Sequence, residues 1–220
     1  MKKIAFFAFA LCLLAMPLRV NAANTSNFQQ TINGGSLSID IVNATTYVPV
    51  GSPGVVFPAA TFSFTCQTNT ATLGTATEAI YIKNPDASDT GWVASIAGSS
   101  PTAIWDSAGV DYDFNDSSGS GCTDGADADS LGGQMTIDAS VGTLAIGACA
   151  SCATTNITKG SSTAFVEGTT NSITLLNAAA ASSDIGDWKF TGVSVSQKIP
   201  AEQPAASDYD INMVVSIVAQ

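Results

Sequence analysis

Apolar and polar residues alternate at period two along much of the chain. Leu37, Ile39 and Ile41 are interleaved with Ser38 and Asp40, and Phe62, Phe64 and Cys66 with Ser63 and Thr65. Ile80 and Ile82 share one parity, as do Trp92, Ala94 and Ile96. Near the end, Tyr209, Ile211, Met213, Val215 and Ile217 give five apolar positions in register. In an extended chain successive side chains point to opposite faces, so this alternation predicts half-buried strands. Gly51-Ser52-Pro53-Gly54, Asn84-Pro85-Asp86 and Ser117-Ser118-Gly119-Ser120-Gly121 supply turns between them.

One predicted strand changes phase. Trp188 and Phe190 lie on one parity, Val193 and Val195 on the other, with Gly192 at the switch. A β-bulge at Gly192 would restore a single inward face. No stretch of 12 residues has a convincing helical period. The alanine-rich run 177–183 is expected to form a short helical turn between strands. Short strands with Gly, Pro and Asn punctuation predict an all-β fold, an antiparallel immunoglobulin-like β-sandwich spanning residues 35–220. Its expected core includes Phe62, Phe64, Ile80, Ile82, Trp92, Ile96, Trp188 and Phe190, together with Tyr209, Ile211, Met213, Val215 and Ile217. The acidic, glycine-rich stretch 106–133 is too long for a hairpin turn and is expected to be an elaborated loop.

The first residues change the picture from fold to location. Lys2 and Lys3 precede 13 uncharged residues, Ile4 to Met16, and Pro17 then breaks the run. Val20-Asn21-Ala22 offers small residues where a signal peptidase reads. This predicts a secretory signal over 1–22, too short to span a bilayer, and a polar, flexible leader over 23–34. No second long apolar run follows, so no membrane span is expected in the mature chain. Removing Lys2, Lys3 and Arg19 leaves four lysines against 18 acids, a mature net charge of −14. Such a surface repels nucleic acid and anionic lipid.

Histidine is absent, which excludes Ser-His-Asp, Cys-His and His-metal mechanisms. Cys66, Cys122, Cys149 and Cys152 remain after the leader, an even number that favours two disulfides in an oxidising compartment. Cys149 and Cys152 are close enough for a tight loop clasp, and Cys66–Cys122 follows by elimination. The Cys149-Ala150-Ser151-Cys152 spacing is also that of a redox motif, but no βαβ pattern surrounds it and no base is near.

Gly35-Ser36-Leu37-Ser38-Ile39, Val55-Val56-Phe57, Ile80-Tyr81-Ile82-Lys83-Asn84-Pro85 and Gly91-Trp92-Val93 occur in that order. Ile199-Pro200-Ala201-Glu202-Gln203-Pro204 then precedes Tyr209 and the last alternating segment. Together these segments resemble the WxL-type surface domains of bacterial cell envelopes, over roughly 35–219. The resemblance implies a cell-surface β-domain associated non-covalently with the wall. The family's Trp-x-Leu tripeptide is not kept, since Trp92 is followed by Val93 and Ala94. The proline turn, Asp208-Tyr209 and final strand also resemble spore-coat-U-type and pilin-like secreted subunits. That second resemblance implies self-association by strand donation, with 37–42 as the donor or, alternatively, as an ordinary first strand.

The densest chemistry is acidic. Asp106, Asp111, Asp113, Asp116, Asp124, Asp127 and Asp129 fall in one stretch, with no Lys or Arg between Lys83 and Lys159. Clustered hard oxygens suit calcium, with Asp111, Asp113, Asn115, Asp116, Asp124, Asp127 and Asp129 as candidate ligands. A plain solvated acidic loop is the alternative. A carboxylate pair could serve glycoside hydrolysis, but a glycine- and serine-rich loop holds no pair rigidly, so an enzyme is not expected. The expectation is an exported cell-surface structural or adhesive protein whose partner is a cell-envelope polymer or another surface protein. A self-assembling subunit is the alternative, ahead of a secreted carbohydrate-active enzyme.

Overall fold

A computed structural model describes residues 29–86, 88–125 and 129–220. The expected signal peptide and most of the leader lie outside these residues. Residues 34–220 form one unit, in which the described residues make twelve antiparallel strands in three four-stranded sheets. The first sheet has the order β1 (Ser38–Val42), β3 (Ala79–Asn84), β10 (Gly186–Thr191), β6 (Thr143–Ile146). The second runs β2 (Gln67–Leu73), β11 (Val193–Ile199), β5 (Gln134–Asp138), β8 (Ser162–Ala164). The third runs β12 (Met213–Ala219), β4 (Trp92–Gly98), β9 (Ser172–Ala178), β7 (Ile157–Lys159).

The first two sheets are halves of one bent layer. β10 runs into β11 with only Gly192 between them, and β2–β3 and β5–β6 cross the same corner. Gly192 has φ +75°, and its N–H donates to Gly74 O at 2.8 Å. Gly74 has φ +83°, and a Cβ there would collide with the backbone of Phe190 and Thr191. Two glycines thus let the backbones cross closely while the strand changes sheets. The phase change read in the sequence is this corner: Trp188, Phe190, Val193 and Val195 are all buried. The third sheet packs over the bend and completes the sandwich. A bulge between Ala94 and Ser95 leaves one extra residue in β9, so the adjacent Leu175 and Leu176 are both buried.

The core contains Ile80, Ile82, Trp92, Ile96, Trp188 and Phe190 as expected, and also Phe114, Phe165, Met135 and Ile137. Tyr209, Ile211, Met213, Val215 and Ile217 are only half-buried, because β12 is an edge strand. Phe62 and Phe64 depart from expectation, being 48 % and 77 % exposed. They stack edge to face on a segment that joins no strand ladder, held to β2 through the Gln67 and Asn69 side chains, and their outer side faces solvent. The alanine-rich run is not helical; it forms the end of β9 and a turn. Of residues 37–42, the proposed donor, Ser38–Val42 pair with β3 in the first sheet.

Candidate functional site: an aromatic cleft beside the acidic segment

Three irregular segments meet at one end of the sandwich: 53–66, 99–133 and 200–210. Each owes its course to local chemistry. Extended backbone before β2 lets Val55 and Phe57 turn inward while Val56 faces solvent. Trp105 and Tyr112 face each other across a two-residue bridge, Trp105 N–H donating to Tyr112 O at 2.8 Å, and their rings stack at 5.7 Å. The Gln203 amide donates to Val110 O, Asp111 O and Tyr209 Oη, and Tyr209 donates in turn to Pro204 O at 2.7 Å. Ser107 Oγ donates to Asp208, and Asp106 exchanges backbone hydrogen bonds with Asp210. The proline turn and tyrosine of 199–209 therefore pin one loop to another.

These segments bound a cleft of about 620 Å³ between Phe57, Phe62, Trp105, Tyr112, Ile199 and Tyr209. Phe57 meets Trp105 edge to face at 5.5 Å, and Tyr209 meets Tyr112 at 5.0 Å. The Trp105 indole N–H donates to Gln197 Oε1 at 2.9 Å, and the buried Gln197 amide donates to Asp113 O and Lys198 O. A buried amide with every donor matched holds the indole in one orientation. Burial, followed by the neighbouring Tyr209, pushes the Tyr112 phenol well above the usual tyrosine range. A second hollow of about 310 Å³ runs between Val55, Leu73, Ile96, Met135, Ile211 and Val215, along the half-covered β12 side of the core. Aromatic walls with a few fixed polar groups suit recognition of an apolar or ring-bearing ligand.

The sequence-predicted metal ligands fall beside this cleft and mostly serve the backbone. Asp111 Oδ1 accepts from Ser107 N, and the buried Asp113 accepts from Phe114 N at 2.6 Å. Asn115 is buried and donates to Pro101 O at 3.2 Å. Both oxygens of buried Asp116 accept N–H donors at 2.7 Å, one from Ser118 and one from Gly125. Asp124 and Asp129 are exposed, Asp129 accepting from Leu131 N, while Asp127 lies outside the described residues. Among the described residues no three acidic side chains converge as a metal cluster would. The run 111–116 is not a solvated loop: Tyr112 and Phe114 enter the core, and the acids between them bond inward or along the chain. Gly133 makes this possible, because φ +138° and contact with Asp113 O leave no room for a Cβ.

The cysteines pair as expected. Cys66–Cys122 and Cys149–Cys152 are disulfides, each with Cα atoms 5.6 Å apart. The first ties the segment carrying Phe62 and Phe64 to the acidic segment. The second closes a loop over Trp188, whose indole donates to Ala153 O at 2.7 Å. Sequence reasoning missed Gln197 and Gln203, ordinary polar residues whose importance lies in partners about 90 residues away. Asp184 was missed for the same reason. It is 1 % exposed, accepts from Gly91 N through Oδ2, and its carbonyl accepts from Asn84 and the Trp92 indole.

No family model, curated protein or solved structure matches the chain. No helix among the described residues is long and apolar enough to cross a membrane.

Proposed function

We propose that the protein is an exported structural or adhesive component of the cell surface. In this reading it holds a cell-envelope polymer or another surface protein at the aromatic cleft. The observation that carries it is the exposed, edge-to-face Phe62–Phe64 pair beside the cleft, tethered by Cys66–Cys122. Exposed aromatics on a constrained segment are what binding surfaces use, since large area is offered at low ordering entropy. The expected signal peptide, the two disulfides and the acidic composition fit an extracellular setting, as does the WxL-type resemblance. Calcium remains the proposed ion for the acidic segment. The test is retention on purified cell wall. A Phe62→Ser/Phe64→Ser variant should fold normally by circular dichroism and lose binding about tenfold or more. Equal retention of variant and wild type removes the cleft from the reading.

A self-assembling subunit is the second reading, favoured by the edge of β12. That strand carries no charge, and its outward Val214 and Val218 are 48 % and 66 % exposed. β12 bonds to β4 alone, and a long apolar edge without charge or proline invites strand addition. Sedimentation decides: concentration-dependent dimers or filaments, abolished by Val214→Lys, support assembly.

A further inference from the structure

At the far end of the sandwich two loops are tied by two acids that cross over. Asp89, on the 85–91 loop, accepts Ala181 N–H from the opposite loop at 3.2 Å. Asp184, on that opposite loop, accepts Gly91 N–H from the first at 2.9 Å. Each carboxyl therefore caps the backbone of the other's loop at the same crossing. Asp184 is almost wholly buried, and its Oδ1 has no donor within reach. Two carboxylates so placed repel each other, and the buried one lacks solvent to relieve it.

Neighbouring elements supply no counter-charge. Asp86 turns to Ser88 N–H and Oγ, and Asp187 on β10 accepts Cys149 N–H. Asn84 and Trp92 are neutral, and Lys83 is exposed. The remaining lysines bond elsewhere: Lys159 to Ser140 O and Gly142 O, Lys189 to Ala44 O, Lys198 to Thr68.

We propose that Asp184 holds a proton against Asp89 and that the two act as a pH-sensitive latch on the strand that begins at Trp92. That proton gives the orphan Oδ1 its partner and reduces two charges to one. Burial first, then Asp89, raises Asp184 above the ordinary value of 3.8. A carboxyl whose folded value is raised stabilises the fold fully below its unfolded value. That contribution is lost as pH rises through the folded one. Losing the proton sets the two loops against each other at Gly91. Gly91 O also accepts Gln220 N–H at 3.1 Å, so the latch reaches the end of β12.

The test compares wild type and Asp184→Asn in thermal melts from pH 4 to 8. Asparagine keeps an oxygen for Gly91 N–H and offers Asp89 a permanent donor. The wild-type midpoint should fall with rising pH relative to D184N, so that the variant is the more stable by roughly 2–4 °C at pH 8. Asp89→Asn, which supplies the donor from the other side, should flatten the profile in the same way. Hydrogen exchange at Gly91 and Gln220 should quicken with pH in the wild type beyond the intrinsic rate increase and not in D184N. Parallel profiles for wild type and both variants would overturn the proposal. So would a calcium- or magnesium-dependent rise in the midpoint that D184N abolishes, since the pair would then hold a metal ion.

Discussion

Trp92 and Trp188 on one side and Trp105 on the other show two ways of burying an indole. The first two pack together at 5.4 Å, are wholly buried, and donate to backbone carbonyls of neighbouring loops. Their neighbours are strand residues fixed by the ladders of β3, β4, β9 and β10. Trp105 is 8 % exposed, sits outside any ladder of more than one bridge, and donates to a side chain, Gln197. Its cover is the irregular segment carrying Phe57. A core closed by strands is stable because every element supports its neighbours. A core closed by loops leaves a cleft, and the ordering has to come from side-chain networks and a covalent tether.

The largest expected effect breaks this comparison at the tryptophans. Trp188→Ala should destabilise by about 3–5 kcal/mol, because rigid strands cannot collapse into the void. Trp105→Ala should cost only about 2–3 kcal/mol: the loop can settle inward, though Gln197 Oε1 is left without its donor. Urea unfolding measures both, and equal losses would mean that the cleft side is packed as tightly as the strand-built side.

The disulfides sharpen the same contrast. Closing a loop of 56 residues, Cys66–Cys122 should contribute about 4 kcal/mol on the chain-entropy model, whereas the three-residue spacing of Cys149–Cys152 should contribute about 2 kcal/mol. Paired Cys→Ser variants in denaturant give both numbers. Loss of cell-wall retention only in the Cys66/Cys122 variant would tie recognition to the tethered segment.

The strand-built side was the legible one. Ile80, Ile82, Trp92, Ile96, Trp188 and Phe190 stand at period two in strands covered on both sides, so pattern and burial agree. The shift at Gly192 announced the corner, because a side-chain phase cannot change within one flat sheet. On the cleft side, pattern and burial part. Phe62 and Phe64 alternate like strand residues, but no neighbouring strand bonds to their backbone. β2 follows immediately as Gln67–Leu73, where Thr68, Thr70 and Thr72 face out and the polar Gln67 and Asn69 begin the inward face of an edge strand, which hides the alternation. Tyr112 and Phe114 alternate too, among acids that look like a solvated run. Their aspartates are inward because Gly133 allows the backbones to touch, a close approach that no local pattern records. Gln197, Gln203 and Asp184 matter through distant partners, and spacing carries no trace of that. The cysteines were legible because their chemistry admits few pairings.

Alkaline pH probes a tyrosine near the closed side. Burial, and then the hydrogen bond to Asp187, push Tyr81 up to about 12. Its folded value exceeds the ordinary 10.0, so the stability it contributes is complete below pH 10 and is lost as pH climbs towards 12. Tyr81→Phe should therefore lose less stability than the wild type between pH 10 and 12. Melts across that interval check it, and parallel profiles would contradict the assignment.

The last contrast concerns calcium at the acidic segment. Asp113, Asn115 and Asp116 are turned towards backbone groups, so an ion held here would draw on the solvent-facing Asp124 and Asp129 with neighbouring oxygens. Extracellular calcium sites bind weakly, and an ion at ten times its dissociation constant stabilises by about 1.4 kcal/mol. The expected result is a rise of a few degrees in the melting midpoint with calcium over chelator, smaller with magnesium, and absent in an Asp124→Asn/Asp129→Asn variant. Asp116→Ala should behave differently. It removes the acceptor for Ser118 and Gly125 N–H, lowering stability by about 1–2 kcal/mol with or without calcium. The two variants separate the acids that build the segment from those that could bind an ion. An unchanged midpoint in calcium, magnesium and chelator, with both disulfides intact, would leave all of these aspartates to the backbone and to solvent.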